Sequence, residues 1–340
     1  MNQTSLAKPS ALFLALCAIF VNILWGTPFP LVKEMYSQMH ISADILGNDY
    51  NGQVLTTISI RFFLAGLITL LMAKLMGQKV FKVTRKQWYE VTSMGLVSTT
   101  AAYLFFNIGL VNTTTIKSTI LAQSSIFFSV LLAHFAYKND KLNKPKAIGL
   151  ILGLTGLLAV NLMNTGAGIG ELLNFSWLGD GFMVLYGLVA ALGMMQAKRI
   201  GSSLNSFVMT GWNLTIGSVI LFVIGLTMGG SLSAITWTPM ATILMLILAL
   251  IASVAFGLWY WIVQHAKIGE ISIYKFCMPL SGSILSVMMG QDSFTLPLTI
   301  GLVLVCAGIV IVNKPPKFML SKTENNDQAA LAAAKIKEPS

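Results

Sequence analysis

Long apolar runs, broken by short polar stretches, follow one another from residue 11 to residue 313. A helix needs about 20 predominantly apolar residues to cross the hydrocarbon of a bilayer. On that spacing the chain predicts ten transmembrane helices, at 11–32, 54–76, 91–111, 116–137, 146–163, 179–197, 206–228, 241–263, 271–289 and 296–313. The first run, ALFLALCAIFVNILWGTPFPLV, is too long for a signal-peptide core, has no small-residue cleavage site and leads into further spans, so it reads as a retained helix. Residues Tyr36 to Gln53 predict the one sizeable outer loop, with a Gly-Asn-Asp-Tyr-Asn-Gly cluster that favours turns. Only QHAKIGE separates the eighth helix from the ninth. The pattern defines an all-α polytopic membrane protein.

The fifth and tenth helices read alike. Laid without gaps over GQDSFTLPLTIGLVLVCAGIVIVN (290–313), KNDKLNKPKAIGLILGLTGLLAVN (138–161) matches Asp140 with Asp292, Pro145 with Pro297, Gly149 with Gly301, Gly156 with Gly308 and Asn161 with Asn313. The prolines suit a helix's first turn, and glycines seven apart let helices approach closely. The offset spans five helices, an odd number of crossings, so the two halves lie in the membrane with opposite orientation. The predicted organisation is a cytoplasmic N-terminus (1–10), a five-helix repeat (11–163), an outer linker (164–178), an inverted five-helix repeat (179–313) and a disordered cytoplasmic tail (314–340). Inverted repeats are an architecture from which secondary transporters build alternating access.

Composition agrees, with 55% hydrophobic residues, 10% charged and a mean hydropathy of +0.76. The net charge of +10 changes the picture only through its placement. With the N-terminus inside, cytoplasmic segments take 18 of the 22 basic residues. The outer loops hold Glu34, Asp44, Asp49, Glu171 and Asp292, with Lys33 as their one basic residue. This is the positive-inside asymmetry of a plasma (inner) membrane protein with both termini cytoplasmic. The charge therefore sets orientation and offers contact with anionic lipid headgroups; no nucleic-acid partner is expected. Cys17, Cys277 and Cys306 lie in apolar runs and imply neither disulfides nor metal. His40, His134 and His265 have no ligand spacing. With no nucleophile–base pair, acidic pair or phosphate loop, no enzyme, metal or cofactor is expected.

Several short motifs recur in order. The first span carries Trp25-Gly26-Thr27 and Phe29, with Lys33 beyond it; the second carries Arg61-Phe62 and then Phe63-Leu64-Ala65-Gly66. The sixth opens on Gly179-Asp180 and is followed by Lys198-Arg199; the ninth holds Pro279; each half closes on a proline–glycine helix. Together they resemble the EamA family of the drug/metabolite transporter superfamily, over residues 11–313. The chain departs from the family at Asn139-Asp140 and Gln291-Asp292, where Gly-Glu is common, in AQSSIFFS, which lacks a mid-span proline, and at Ala190, where tryptophan is frequent. The resemblance implies a ten-helix carrier, with a central cavity lined mainly by helices 1, 3, 4, 6, 8 and 9, that exports or exchanges small metabolites.

Four basic residues lie outside the cytoplasmic set. Lys33 and Lys117 fall near the outer surface and need no special role. Arg61 and Lys275 lie within spans, where a charge costs about 2.5–3.5 kcal/mol at the centre and marks a functional hypothesis. Snorkelling to the nearer surface is the plain alternative for both. Pro279 removes the helical partner of the Lys275 carbonyl, presenting an ammonium and an open C=O together, one turn before Ser281. Pro28 and Pro30 likewise release the carbonyls of Leu24 and Gly26, beside Asn22 and Trp25. Under the repeat alignment Gln123 is the counterpart of Lys275. Tyr103, Phe106, Asn107, Tyr186, Trp259 and Tyr260 supply candidate aromatic and polar walls. No Asp or Glu lies mid-span, which disfavours cationic-drug antiport. The expected function is secondary transport of an amino acid or related anionic or zwitterionic solute, by export or exchange. A channel, a lipid-related flippase or a non-transporting scaffold is the alternative. The expected partners are a small-molecule solute and membrane lipids, as a monomer or a homodimer.

Overall fold

The computed structural model describes residues 9–165, 175–288, 295–313 and 315–316, and among these it is helical, with no strand. Glu171, Asp292, Lys314 and the C-terminal tail lie outside the described residues, as do most of the N-terminus and of the 164–178 linker. The long helices are α1 (Ala11–Gln38), α2 (Ala43–Leu75), α3 (Arg85–Val111), α4 (Lys117–Ala136), α5 (Lys144–Thr165), α6 (Trp177–Ile200), α7 (Ser206–Thr227), α8 (Pro239–His265), α9 (Ile268–Met288) and α10 (Leu296–Asn313). Among the described residues nine of them, all but α5, are long and apolar enough to cross a membrane, and α5 is a 22-residue helix packed along α10.

Helix starts follow side-chain chemistry. Ser10 accepts the Phe13 N–H at the head of α1, and Thr238 accepts that of Ala241 ahead of Pro239 in α8. Thr84 and Gln87 form a reciprocal capping box that starts α3 six residues before the expected 91. The expected outer loop is a correction: α1 continues to Gln38, and Ala43–Leu46, a 3-10 turn at Gly47–Asp49 and Tyr50 onward carry α2. Gly47 takes a positive φ of 51°, so the turn-forming residues bend the helix entry without opening a loop. Hydroxyls inside α2 bond back four residues, Thr56 to Gly52, Thr57 to Gln53 and Thr69 to Ala65, which makes polar positions tolerable in hydrocarbon.

The packing repeats with the helices. α1 packs on α8 and α9 as α6 packs on α3 and α4, and α2 on α8 has its counterpart in α7 on α3. The pairs α2–α7 and α5–α10 are their own counterparts. In α5–α10 a Cβ on Gly156 would lie 2.9 Å from the Gly301 carbonyl oxygen, and one on Gly301 2.9 Å from that of Gly156. Gly149 and Gly308 stand in the same reciprocal relation, at 3.0 and 2.9 Å. Residue 149 thus meets the repeat equivalent of 156, and 156 meets that of 149, as two antiparallel helices do across a two-fold axis in the membrane plane. Only glycine permits such backbone contact.

Two proline-bearing helices are interrupted. α1 breaks at Thr27, between Ala11–Gly26 and Pro28–Gln38. The Leu24 carbonyl that Pro28 releases is not left open, because it accepts both the Thr27 N–H at 3.3 Å and the Thr27 hydroxyl at 2.8 Å. In α9 a 3-10 stretch, Ser272–Phe276, precedes the helix Cys277–Met288, and the Cys277 N–H is directed at the Tyr274 and Lys275 carbonyls. The open Lys275 C=O expected from Pro279 is therefore replaced by a tightened turn.

Candidate functional site

A cavity of about 450 Å³ lies between α1, α2, α3, α4, α6, α8 and α9. It reaches from Tyr36 and Tyr50, where α1 ends and α2 begins, to Lys275 and Pro279 in the broken part of α9. Beyond it, the N-terminal halves of α1, α3 and α9 and the C-terminal halves of α6 and α8 close on a core that includes Leu14, Ala18, Met94, Ala197, Val263 and Ile271. One side of the bundle is thus packed shut while the cavity extends toward the other.

Ten of the twelve candidate binding residues line it: Trp25, Arg61, Tyr103, Phe106, Asn107, Gln123, Tyr186, Trp259, Tyr260 and Lys275, together with Pro28 and Pro279. Asn22, Ser281 and Pro30 do not. Asn22 is fully buried and its side chain donates to the Ala18 carbonyl of its own helix at 2.7 Å, while the Ser281 hydroxyl donates to the Asn22 backbone carbonyl at 3.1 Å across the α1–α9 contact.

α4 breaks at Gln123, between Thr115–Ala122 and Ser124–Ala136, with no proline nearby. The Gln123 N–H donates to Ile120 at 3.1 Å, and its carbonyl accepts from Ile126 at 2.9 Å. Gln123 and Lys275 are repeat counterparts, so the bundle interrupts both copies of this helix at one register and turns both side chains to the cavity. In α3 the turns widen to a π-helix at Gly95–Ala101, where Ser98 reaches the wall and donates to Asn213 at 3.0 Å. Such π turns concentrate at functional sites.

The two cations stand in an aromatic setting. The Arg61 guanidinium carbon lies 4.7 Å from the Phe62 ring centre, and the Lys275 ammonium 5.6 Å from that of Trp259. A run of rings joins them: Phe62 to Phe256 at 6.0 Å, Phe256 to Trp25 at 5.1 Å and Trp25 to Trp259 at 5.2 Å. Arg61 is only 9% exposed, and its Nε has no hydrogen-bond partner. Among the described residues neither cation has an ion-pair partner, and no carboxylate lines the cavity.

Two buried carboxylates lie outside the cavity. Asp180, at the head of α6, meets the Lys117 ammonium at 2.5 Å, the Thr113 hydroxyl at 2.5 Å and the Ser176 N–H at 3.0 Å. Lys117 is therefore a buried ion-pair partner, correcting the reading that it needs no special role; its side chain is 8% exposed. Lys33 is exposed, as expected. Asp140, between α4 and α5, accepts from Lys146 at 2.6 Å and from the Gly269 N–H at 2.8 Å, pinning the start of α9. Lining residues that the sequence reading missed include Phe256, Tyr36 and Tyr50. Phe256 stands three and four positions before Trp259 and Tyr260, a helical spacing that would have found it; the tyrosines had been assigned to the loop.

The sequence profile of the EamA-like transporter family matches residues 12–162 and 177–314. The chain belongs to that family, within the drug/metabolite transporter superfamily, and is a multi-pass membrane protein of transporter class. It is 26% identical to the transporter YvbV of Bacillus subtilis over 89% of this chain and 92% of that protein. It is 23% identical to a chloroplastic WAT1-related protein of Arabidopsis thaliana, over 86% of this chain and 67% of that one. The inner membrane transporter YicL of Salmonella typhimurium is 22% identical, over 87% and 93%. A protein crystal structure superposes with a TM-score of 0.71 at 14% identity, over 97% of this chain and all of its own, a likeness of fold alone.

Proposed function

We propose that the chain is a secondary carrier that moves a small anionic or zwitterionic metabolite across the plasma membrane by alternating access, with both termini cytoplasmic and α5 counted as the tenth span. The observation that carries this reading is the cavity of about 450 Å³, into which both broken repeat helices bring Gln123 and Lys275. Irregular backbone at membrane depth is tolerated where it borders a wet cavity, and transporters of inverted-repeat design bind solute between their halves at such breaks. In the proposed orientation the packed core is the closed cytoplasmic gate and the cavity faces outward. Exchange then requires that core to part while the outer ends of the same helices close.

The test is counterflow with purified protein in liposomes preloaded with amino acids, organic anions or nucleosides. Accumulation of one labelled pool against its gradient, lost in Lys275→Ala at unchanged yield of folded protein, is the expected result. Downhill flux without counterflow would identify a channel instead, and absence of flux in every pool would leave a scaffold.

A further inference from the structure

The charge inventory of the cavity narrows the solute. Arg61 and Lys275 both line it, and among the described residues neither meets a carboxylate. Two unmatched cations in apolar surroundings are costly, and a ligand that brings two negative charges relieves both at once. A zwitterion would bring an ammonium group as well, and that group would need an acceptor. The carbonyls loosened at the helix breaks are the natural acceptors, and four of them already take a donor. Leu24 is met by Thr27, Gln123 by Ile126, and Tyr274 and Lys275 by Cys277. The lining carboxylates that could stand in for them are absent among the described residues, since Asp180 and Asp140 are saturated by Lys117 and Lys146 elsewhere. What remains to an ammonium is neutral amides, hydroxyls and ring faces shared with two like charges.

We propose that the solute is a dicarboxylate, held with one carboxylate at Arg61 and the other at Lys275 across the Phe62–Phe256–Trp25–Trp259 ring wall. The planar guanidinium suits a bidentate carboxylate or phosphate, and the ammonium a single oxygen. The aromatic wall between them favours a ligand whose two charges are joined by an apolar body. This rests on the carrier reading of the same cavity.

The experiment compares matched probes on the full-length protein in liposomes: succinate against butyrate, phthalate against benzoate, glycerol 3-phosphate as the phosphate arm, and phenylalanine as the zwitterion. Melting temperature in detergent with each probe is recorded in parallel, as a readout that needs no transport. Expected is counterflow of a dianion about tenfold or more above its monoanionic match, with a raised melting temperature. Arg61→Gln and Lys275→Gln should each bring dianion and monoanion rates together. A response to glycerol 3-phosphate without a response to either dicarboxylate would overturn the two-point arrangement, because a phosphate monoester carries both charges on one group. Exchange of phenylalanine without any dianion would overturn the dianion assignment and leave the carrier standing. Dianion-dependent stabilisation without exchange would keep the site and overturn the carrier. Absence of both exchange and stabilisation with every dianion would sink the assignment, even if the two variants failed to fold.

Discussion

Two pairs of helices share one 152-residue offset and have diverged in opposite ways. α5 and α10 keep Pro145 and Pro297, Gly149 and Gly301, and Gly156 and Gly308, and they meet each other face to face. α4 and α9 set Gln123 against Lys275 and Phe127 against Pro279, yet break at the same register and border the cavity. A contact that is its own repeat image ties both copies together, because each glycine faces the other copy's glycine. A binding wall has no such tie. A solute without two-fold symmetry favours different side chains on its two sides, so sequence symmetry is lost there first while backbone symmetry persists.

The comparison can be broken at its joint. Asp140→Ala removes the carboxylate that holds Lys146 and the start of α9, leaving a buried ammonium uncompensated. A loss of about 3–5 kcal/mol is expected, read by chemical unfolding in detergent. Next come the repeat counterparts Gly149→Val and Gly301→Val, each pressing a side chain onto the facing backbone. Each should cost about 1–3 kcal/mol, and the two losses should match. Unequal losses would mean that the crossing is not symmetric in energy. Lys275→Gln should act the other way, keeping or raising stability by removing an unmatched cation, while counterflow falls about tenfold. A loss of stability equal to that of the glycine variants would make Lys275 structural. Smallest is Pro279→Ala. Pro279 sits in the first turn of Cys277–Met288, where its missing N–H costs little, so a stability change within about 1 kcal/mol is expected by thermal melting.

Much of this architecture is legible in the residues. Spans follow from apolar run length, and the repeat from special residues that recur in register, because proline and glycine act through the backbone and leave a local trace. The charged and aromatic part of the cavity wall was legible too, since a charge such as Lys275 inside an apolar run stands out, whereas its aliphatic positions, such as Val54, Leu248 and Ile251, look like any other span residue. The break at Gln123 was not legible, because no proline marks it; what accompanies it is the close approach of Gly187 in α6 to Ser124 and Ser125, which no local pattern announces. The pairing of Lys117 with Asp180 was hidden for a different reason: each residue sits at a helix end, where charge is unremarkable, and 63 positions separate them. The Tyr36–Gln53 stretch misled because turn-forming residues also serve a bent helix entry, as Gly47 does. Asn22 and Ser281 were assigned to the wall as polar neighbours of carbonyls that prolines release, but the Asn22 amide N–H turns back to the Ala18 carbonyl of its own helix.

The reciprocal crossing of α5 and α10 also bears on how such a chain arises. Cut at the linker, each half would carry a helix whose glycine face expects the other half's. Two identical five-helix chains inserted in opposite directions would present that same pair of faces to each other and form the same crossing. The fused protein therefore reads as an antiparallel dimer made permanent, and fusion released the two copies of the pocket wall to become Gln123 on one side and Lys275 on the other.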